Sequence, residues 1–155
     1  MKNINITNGQ YLNNFLESKY EGVFIPFNEA MIQGDLLYPL FDDVFIEKRS
    51  LVHNVTKELY LSNISIFLNI EKYINEVESI TLWFGKDAFC IINLLTVLVY
   101  FENLNYQKDI ILNIVDDASC ELLESNIQIK KQPYRALQTS DAVVFLFNVK
   151  THHPG

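Results

Sequence analysis

Polar and acidic residues follow each of four apolar segments of this chain, and their side chains carry groups that bind small polar ligands. In chain order these residues are Asn8 and Gly9, Asn28 and Glu29, then Gly85, Lys86 and Asp87, and finally Asp116 and Asp117. Clustered carboxylates can bind Mg²⁺, or can keep one carboxyl group protonated for acid–base chemistry. No single member is diagnostic, so the prediction of a site depends on their convergence at one place.

Each of these residues also has an ordinary structural explanation. Asn8 and Gly9 form a common turn pair. Asp87 stands where a helix N-cap is expected, and Glu29 could cap a short helix. Asp116 and its neighbour could belong to a solvated loop or cap a following helix. Both explanations stay open for each position at the level of the sequence.

Three further positions, Asn93, Trp83 and Arg49, add to the candidate site. Asn93 lies among apolar neighbours, so its amide must either bond a loop backbone or orient a ligand. Trp83 is expected in the core, with a stacking role as the alternative. Arg49 could supply positive charge to a phosphate or carboxylate ligand. Gly85 is expected to adopt a backbone conformation that a Cβ would hinder.

The elements that must position these residues are alternating strands and helices. Apolar runs predict buried strands at residues 3–7, 22–27 and 79–84, and a fourth within "KDIILNIVDD". Helical spacing is seen in "QYLNNFLESK" and in the long apolar segment after Asp87. Residues 36–75 show no strand signal and predict a helical insertion, with Thr56 as an N-cap. This alternation predicts an α/β domain with a mainly parallel sheet, in which ligands bind at the carboxyl ends of the strands.

The C-terminal part of the chain follows a less regular pattern. Residues 118–125 read as a short helix, and residues 127–132 as a short alternating strand. The apolar segment 142–149, "AVVFLFNV", reads as another strand or a packed tail.

Composition narrows the classes of function. A chain of 155 residues, 49% hydrophobic, predicts one domain over residues 1–155, and the formal net charge of −7 disfavours nucleic acid as a partner. The sequence has no G-x-G-x-x-G, P-loop or G-x-S-x-G motif. Two distant cysteines, with one histidine at His53 and an adjacent pair at His152 and His153, predict no metal-ligand framework. With no signal peptide and no membrane span expected, a cytoplasmic protein is predicted.

Three motifs together resemble an uncharacterised family of bacterial proteins, a domain of unknown function. They are the turn "ITNG" at Asn8 and Gly9, the loop "PFNEAMIQGD" with Glu29 and Gly34, and the junction "LWFGKDAFCIINLL" with Trp83, Phe84, Asp87 and Phe89. Gln10 and Asn93 depart from the acidic residue and the glutamine that are usual in the family. The resemblance covers about residues 3–117 and implies a Rossmann-like fold, here a three-layer sandwich, without implying an activity.

Two hypotheses of different classes follow. In the first, Asn8, Glu29, Asp87, Asn93 and Asp116 line a ligand cleft, with Arg49 and Trp83 contributing, for a small-molecule or nucleotide ligand and with Mg²⁺ as the candidate ion. Whether such a domain would be an enzyme stays open. In the second, the protein is a non-catalytic regulatory or interaction module that acts as a homodimer or larger homo-oligomer through residues 36–75 and the segment 142–149.

Overall fold

A five-stranded sheet forms the centre of the protein, for which the computed structural model describes residues 2–35 and 37–129. In chain order the strands are β1 (Asn3–Thr7), β2 (Val23–Pro26), β3 (Ser79–Phe84), β4 (Asp109–Val115) and β5 (Leu122–Gln128). Their order across the sheet is β2-β1-β3-β4-β5. The first four strands are parallel and β5 is antiparallel to β4, which confirms a mixed α/β protein with a mostly parallel sheet.

Helices connect the parallel strands, because neighbouring parallel strands need a crossover connection. They are α1 (Gln10–Lys19), α2 (Asp43–Val52), α3 (Lys57–Leu68) and α4 (Ala88–Asn103), with two short 3₁₀ helices at Asn69–Lys72 and Ile74–Glu76. The helical insertion between β2 and β3 is therefore confirmed. Thr56 caps α3 as predicted, because its hydroxyl accepts a hydrogen bond from the Leu59 N–H at 3.1 Å. None of the described helices combines the length and the apolarity needed to cross a bilayer.

Alternation along the strands sends side chains to two different clusters. Ile4 and Ile6 of β1 join the larger core, which also contains buried residues of α3 and α4. The smaller cluster combines two residues of α1 with residues of the sheet and of the turn after β4, namely Leu12, Leu16, Phe24, Trp83, Val115 and Cys120. Helices therefore pack against both faces of the sheet, which explains why the parallel strands are apolar on both sides.

The predicted helix at residues 118–125 is wrong, because this segment forms a turn and then β5. The Asp116 carboxylate accepts hydrogen bonds from the backbone N–H groups of Ala118 and Ser119 at 3.0 and 2.8 Å, and Cys120 has a positive φ of 63°. This turn reverses the chain onto the free edge of β4, whose backbone groups outweigh a weak helical pattern. The segment 142–149 and residues 130–132 of the predicted short strand lie outside the described residues.

Candidate functional site

A cleft opens at the carboxyl ends of β1, β3 and β4. The chain leaves β1 towards β2 on one side, whereas β3 pairs on the other side of β1. Such a change of direction separates the loops that follow the two strands and leaves a crevice between them. The cleft has a volume of about 280 Å³, and we call it the rim cleft. It is lined by Asn8, Tyr11, Leu12, Gly85, Asp87, Phe89, Cys90, Val115, Asp116, Asp117 and Cys120.

The start of α4 places two functional groups at the cleft. Asp87 is the N-cap of α4, because its Oδ1 accepts a hydrogen bond from the Cys90 N–H at 2.8 Å. The predicted cap is thus confirmed, and the same carboxylate also lines the cleft. One helical turn separates the two side chains, so Cys90 is directed to the same region as Asp87.

A set of hydrogen bonds joins the thiol of Cys90 to two different loops. Asn8, which follows β1, donates from Nδ2 to the Cys90 sulfur at 3.1 Å. The thiol in turn contacts Oδ1 of Asp117, in the turn after β4, at 3.3 Å. Residues from three strand ends therefore meet at one sulfur atom.

Gly85 makes room for this arrangement. A Cβ at this position would stand 1.7 Å from Asp117 Oδ1 and 2.9 Å from the Cys90 sulfur. The glycine is therefore required by space rather than by an unusual backbone conformation, which corrects the expectation from the sequence. Any side chain here would displace the Asp117 carboxylate.

The electrostatics of the rim cleft are dominated by negative charge, because its charged lining residues within the described chain are three aspartates. Burial, together with Asp87 and Asp116, raises the pKa of Asp117, although the Cys90 thiol opposes this shift. Burial and the neighbouring carboxylates also raise the pKa of Cys90 well above its ordinary value. Cys90 is therefore a neutral thiol, and an acidic environment of this kind does not activate it as a nucleophile.

Asp87, Cys90 and Asp117 carry ligand atoms that all lie within 4.8 Å of one another. Such a set of two carboxylates and one sulfur would suit a borderline-soft ion such as Zn²⁺ better than Mg²⁺, which prefers oxygen ligands. A metal would also require the thiol to lose its proton, which the surrounding carboxylates disfavour. The donor set thus does not fit the Mg²⁺ that the acidic strand ends suggested.

A second group of polar side chains surrounds Glu29, which follows β2. The Arg49 guanidinium donates to both carboxylate oxygens of Glu29, at 2.9 and 2.8 Å. The Tyr60 hydroxyl donates to Oε2 at 2.6 Å, and the His53 ring contacts Oε1 at 2.5 Å. The neighbouring cavity of about 300 Å³, which we call the Glu29 pocket, is lined by Asn28, Glu29, Ala30, His53, Val55, Tyr60 and Asn63.

The Glu29–Arg49 pair is buried and its hydrogen-bonding capacity is used within the protein. Both side chains have an exposed fraction of 0%. Arg49 also donates to the backbone carbonyl groups of Gln33 and Ala30. Burial opposes ionisation of Glu29, but the hydrogen bonds from Arg49, Tyr60 and the Ala30 N–H outweigh it and lower its pKa to about 2. The pair therefore fixes the loop after β2 to α2 and α3.

Asn93 connects the loop after β2 with the rim cleft. Its Oδ1 accepts a hydrogen bond from the Met31 N–H at 2.9 Å, and its Nδ2 donates to the Glu29 carbonyl oxygen at 2.7 Å. The same Nδ2 donates to Oδ1 of Asn8 at 2.8 Å. Asn93 is fully buried, so it orients two loops and does not itself line the rim cleft.

The structure brings some of the predicted site residues together and separates others. Asn8, Asp87 and Asp116 line the rim cleft, and Gly9 precedes α1 with φ of 100° and no side-chain cap. Glu29 and Asn28 line the Glu29 pocket instead, and Arg49 is buried against Glu29. Trp83 is buried in the smaller cluster, where its Nε1 donates to Asn5 Oδ1 at 3.0 Å.

Sequence reasoning missed several residues of the rim cleft. Cys90, which is a buried free cysteine, was not among the predicted site residues, although its spacing of three from Asp87 was a usable signal. Asp117 stood beside the selected Asp116, but the sequence does not show which of two adjacent carboxylates turns inward. Two aromatic residues with exposed fractions of 76% and 37%, Tyr11 and Phe89, also line the cleft.

No protein-family model, no curated protein and no solved structure matches this chain.

Proposed function

We propose that this protein is a small-molecule-binding α/β domain whose ligand occupies the rim cleft. The observation that carries the proposal is the convergence of three strand ends on one cavity, at the point in the sheet where the chain changes direction. Open α/β sheets bind their ligands at such points because helix and strand ends leave a crevice there.

The size of the cleft favours a small ligand. Its volume of about 280 Å³ is near the lower limit of ordinary ligand pockets. A compact metabolite fits this space better than a dinucleotide does. Tyr11 and Phe89 supply apolar surface at the cleft, which suits a ligand with a hydrocarbon portion.

The polar groups of the cleft favour a ligand that offers hydrogen-bond donors or positive charge. Asp87, Asp116 and Asp117 are acceptors when ionised, whereas Arg49 is engaged elsewhere. A bare phosphate would therefore meet repulsion from the described lining residues. An acceptor group of the ligand could use the first turn of α1, whose N–H groups have no side-chain cap.

The proposed fold type is a Rossmann-like three-layer sandwich, supported by helices on both faces of the mostly parallel sheet. Membership of the bacterial family of unknown function that the sequence resembles stays a prediction. So do a cytoplasmic location and the absence of nucleic-acid partners.

A thermal-shift screen tests the proposal. We expect a small amine, polyol, nucleoside or amino acid to raise the melting temperature, since a ligand that binds only the folded state stabilises it. Asp117→Asn should abolish that increase, because it removes the negative charge of the lining carboxylate that lies beside Gly85 and Cys90. The matched control is Asp43→Asn, which removes the same charge from an exposed position on α2.

The proposal fails if every stabilising compound acts equally on the wild type and on Asp117→Asn. Binding would then have to involve another part of the molecule. The Glu29 pocket would be the next region to test, with Asn63→Ala as its variant.

A second candidate function, a homo-oligomeric interaction module, is favoured by apolar side chains on α2 and α3. Those with an exposed fraction of at least 38% are Val44, Leu51, Val52, Leu59, Leu61 and Ile66. Apolar side chains in this number on two adjacent helices are typical of contact surfaces. Light scattering over a dilution series separates the two candidate functions. A dimer that is lost in Leu51→Glu supports the interaction module, whereas a monomer at every concentration supports the ligand-binding domain.

A further inference from the structure

We propose that Cys90 is a positioning residue of the rim cleft, a neutral thiol that fixes the Asp117 carboxylate through a chain of hydrogen bonds beginning at buried Asn93. This chain, which we call the amide–thiol chain, consists of Asn93, Asn8, Cys90 and Asp117. The inference rests on the proposed function, in which the Asp117 carboxylate contacts the ligand. It adds how that carboxylate is oriented.

A backbone N–H group sets the direction of the hydrogen bonds in the amide–thiol chain. The buried Met31 N–H requires an acceptor, and the one it has is Asn93 Oδ1 at 2.9 Å. This requirement decides which end of the Asn93 amide is oxygen. Its Nδ2 is therefore the donor that reaches Asn8 Oδ1 at 2.8 Å.

The second amide is oriented by the first. Because Asn8 Oδ1 accepts from Asn93, the NH₂ group of Asn8 must face Cys90, where it lies 3.1 Å from the sulfur. The sulfur accepts this hydrogen bond, so its own hydrogen is left to be donated. Asp117 Oδ1, at 3.3 Å, accepts it. The Asp87 carboxylate also interacts with the thiol, but its Oδ1 already accepts the Cys90 N–H as the cap of α4.

The amide–thiol chain explains two features of the sequence that otherwise have no connection. Gly85 is needed because the Asp117 carboxylate and the Cys90 sulfur occupy the space of its missing Cβ. Asn93 is needed in an apolar helix because it connects the backbone at Met31 to the cleft. A continuous series of hydrogen bonds therefore joins the loop after β2 to Asp117.

Infrared spectroscopy of the ligand-free protein tests the proposal. Hydrogen-bond donation lowers the S–H stretching frequency, and Cys90→Ala identifies which of the two thiol bands belongs to Cys90. We expect this band to lie below that of Cys120 and to rise in Asp117→Ala and, to a smaller extent, in Asn8→Ala. The matched control Asp43→Ala should leave it unchanged. A Cys90 band that does not move in Asp117→Ala overturns the proposal.

A second readout reports on the carboxylate itself. The carboxyl-carbon NMR resonance of Asp117 should move in Cys90→Ala and return towards its wild-type position in Cys90→Ser, because a hydroxyl restores the donor. A resonance that is equally displaced in both variants also overturns the proposal. Neither measurement needs a ligand. If the ligand screen fails but the S–H and carboxyl shifts appear as expected, the proposed binding function is rejected and the positioning role of Cys90 is retained.

Discussion

At the scale of single residues, the chemistry of this protein is decided by what surrounds each carboxylate. Glu29 and Asp117 both follow strands of the sheet, yet their pKa values shift in opposite directions. Glu29 is surrounded by donors from Arg49 and Tyr60, whereas Asp117 faces two other aspartates. The first carboxylate therefore stabilises the fold, and the second is the one that we propose contacts a ligand.

The pH dependence of stability should show the contribution of Glu29. Its folded-state pKa of about 2 lies below the ordinary value of 4.5, so its contribution is present above pH 4.5 and is lost as the pH falls towards 2. We expect the free energy of unfolding to decrease by about 3 kcal/mol over this range from this group. Denaturant titrations from pH 2 to pH 6 measure it.

Glu29→Gln should flatten that dependence and should destabilise the protein at neutral pH by about 3 kcal/mol or more, because Arg49 loses its buried partner. The control is Glu47→Gln, an exposed position on α2. An unchanged acid slope in Glu29→Gln would show that other carboxyl groups cause the acid sensitivity.

Gly85→Ala tests the close approach of Asp117 and Cys90. The added Cβ would stand 1.7 Å from Asp117 Oδ1, so we expect a loss of about 1 to 3 kcal/mol in the free energy of unfolding. The loss should be smaller in an Asp117→Ala background, because truncation removes the clash. Gly9→Ala is the comparison, because it costs backbone strain at a φ of 100° with no neighbour within 4 Å and should be independent of Asp117→Ala.

At the scale of elements, the N-terminus of α4 serves both stability and the site. Asp87→Ala should destabilise the protein by about 1 kcal/mol, since the Cys90 N–H loses its cap. Asp87→Asn keeps a capping oxygen and should recover most of that loss while removing the negative charge. Equal destabilisation by both substitutions in urea unfolding would mean that charge, rather than capping, explains the role of Asp87.

The elements also show where sequence patterns were sufficient. Strongly periodic or continuously apolar segments, such as those of β3 and α4, were predicted correctly because the order of their apolar residues already indicates burial. The segment 118–125 was not, because its weak helical pattern competes with pairing to β4, and that partner is visible only in the folded sheet.

At the scale of the whole molecule, Asn93 joins three parts of the fold that are distant in sequence. Asn93→Leu would leave the Met31 N–H, the Glu29 carbonyl and Asn8 Oδ1 without this partner. We expect a loss of about 3 kcal/mol or more in the free energy of unfolding. Hydrogen exchange at the Met31 amide should be faster in Asn93→Leu than the rate expected if that amide exchanged only through global unfolding of the variant.

The matched control is Asn14→Leu, an asparagine on the exposed side of α1, which should change neither quantity by a comparable amount. Slow exchange at Met31 in Asn93→Leu would show that another group protects this loop. That result would also contradict the role of Asn93 in connecting the loop after β2 with the rim cleft.

The amino-acid sequence by itself determined the class of fold, the positions of the four parallel strands and the fact that polar residues follow each of them. These features are local, since periodicity, capping residues and turn pairs act over a few neighbouring positions. Only the tertiary structure decided which polar residues face one another. It paired Glu29 with Arg49 and placed Asp117 on Cys90, because side-chain partners depend on crossovers that bring together residues 20 or more positions apart.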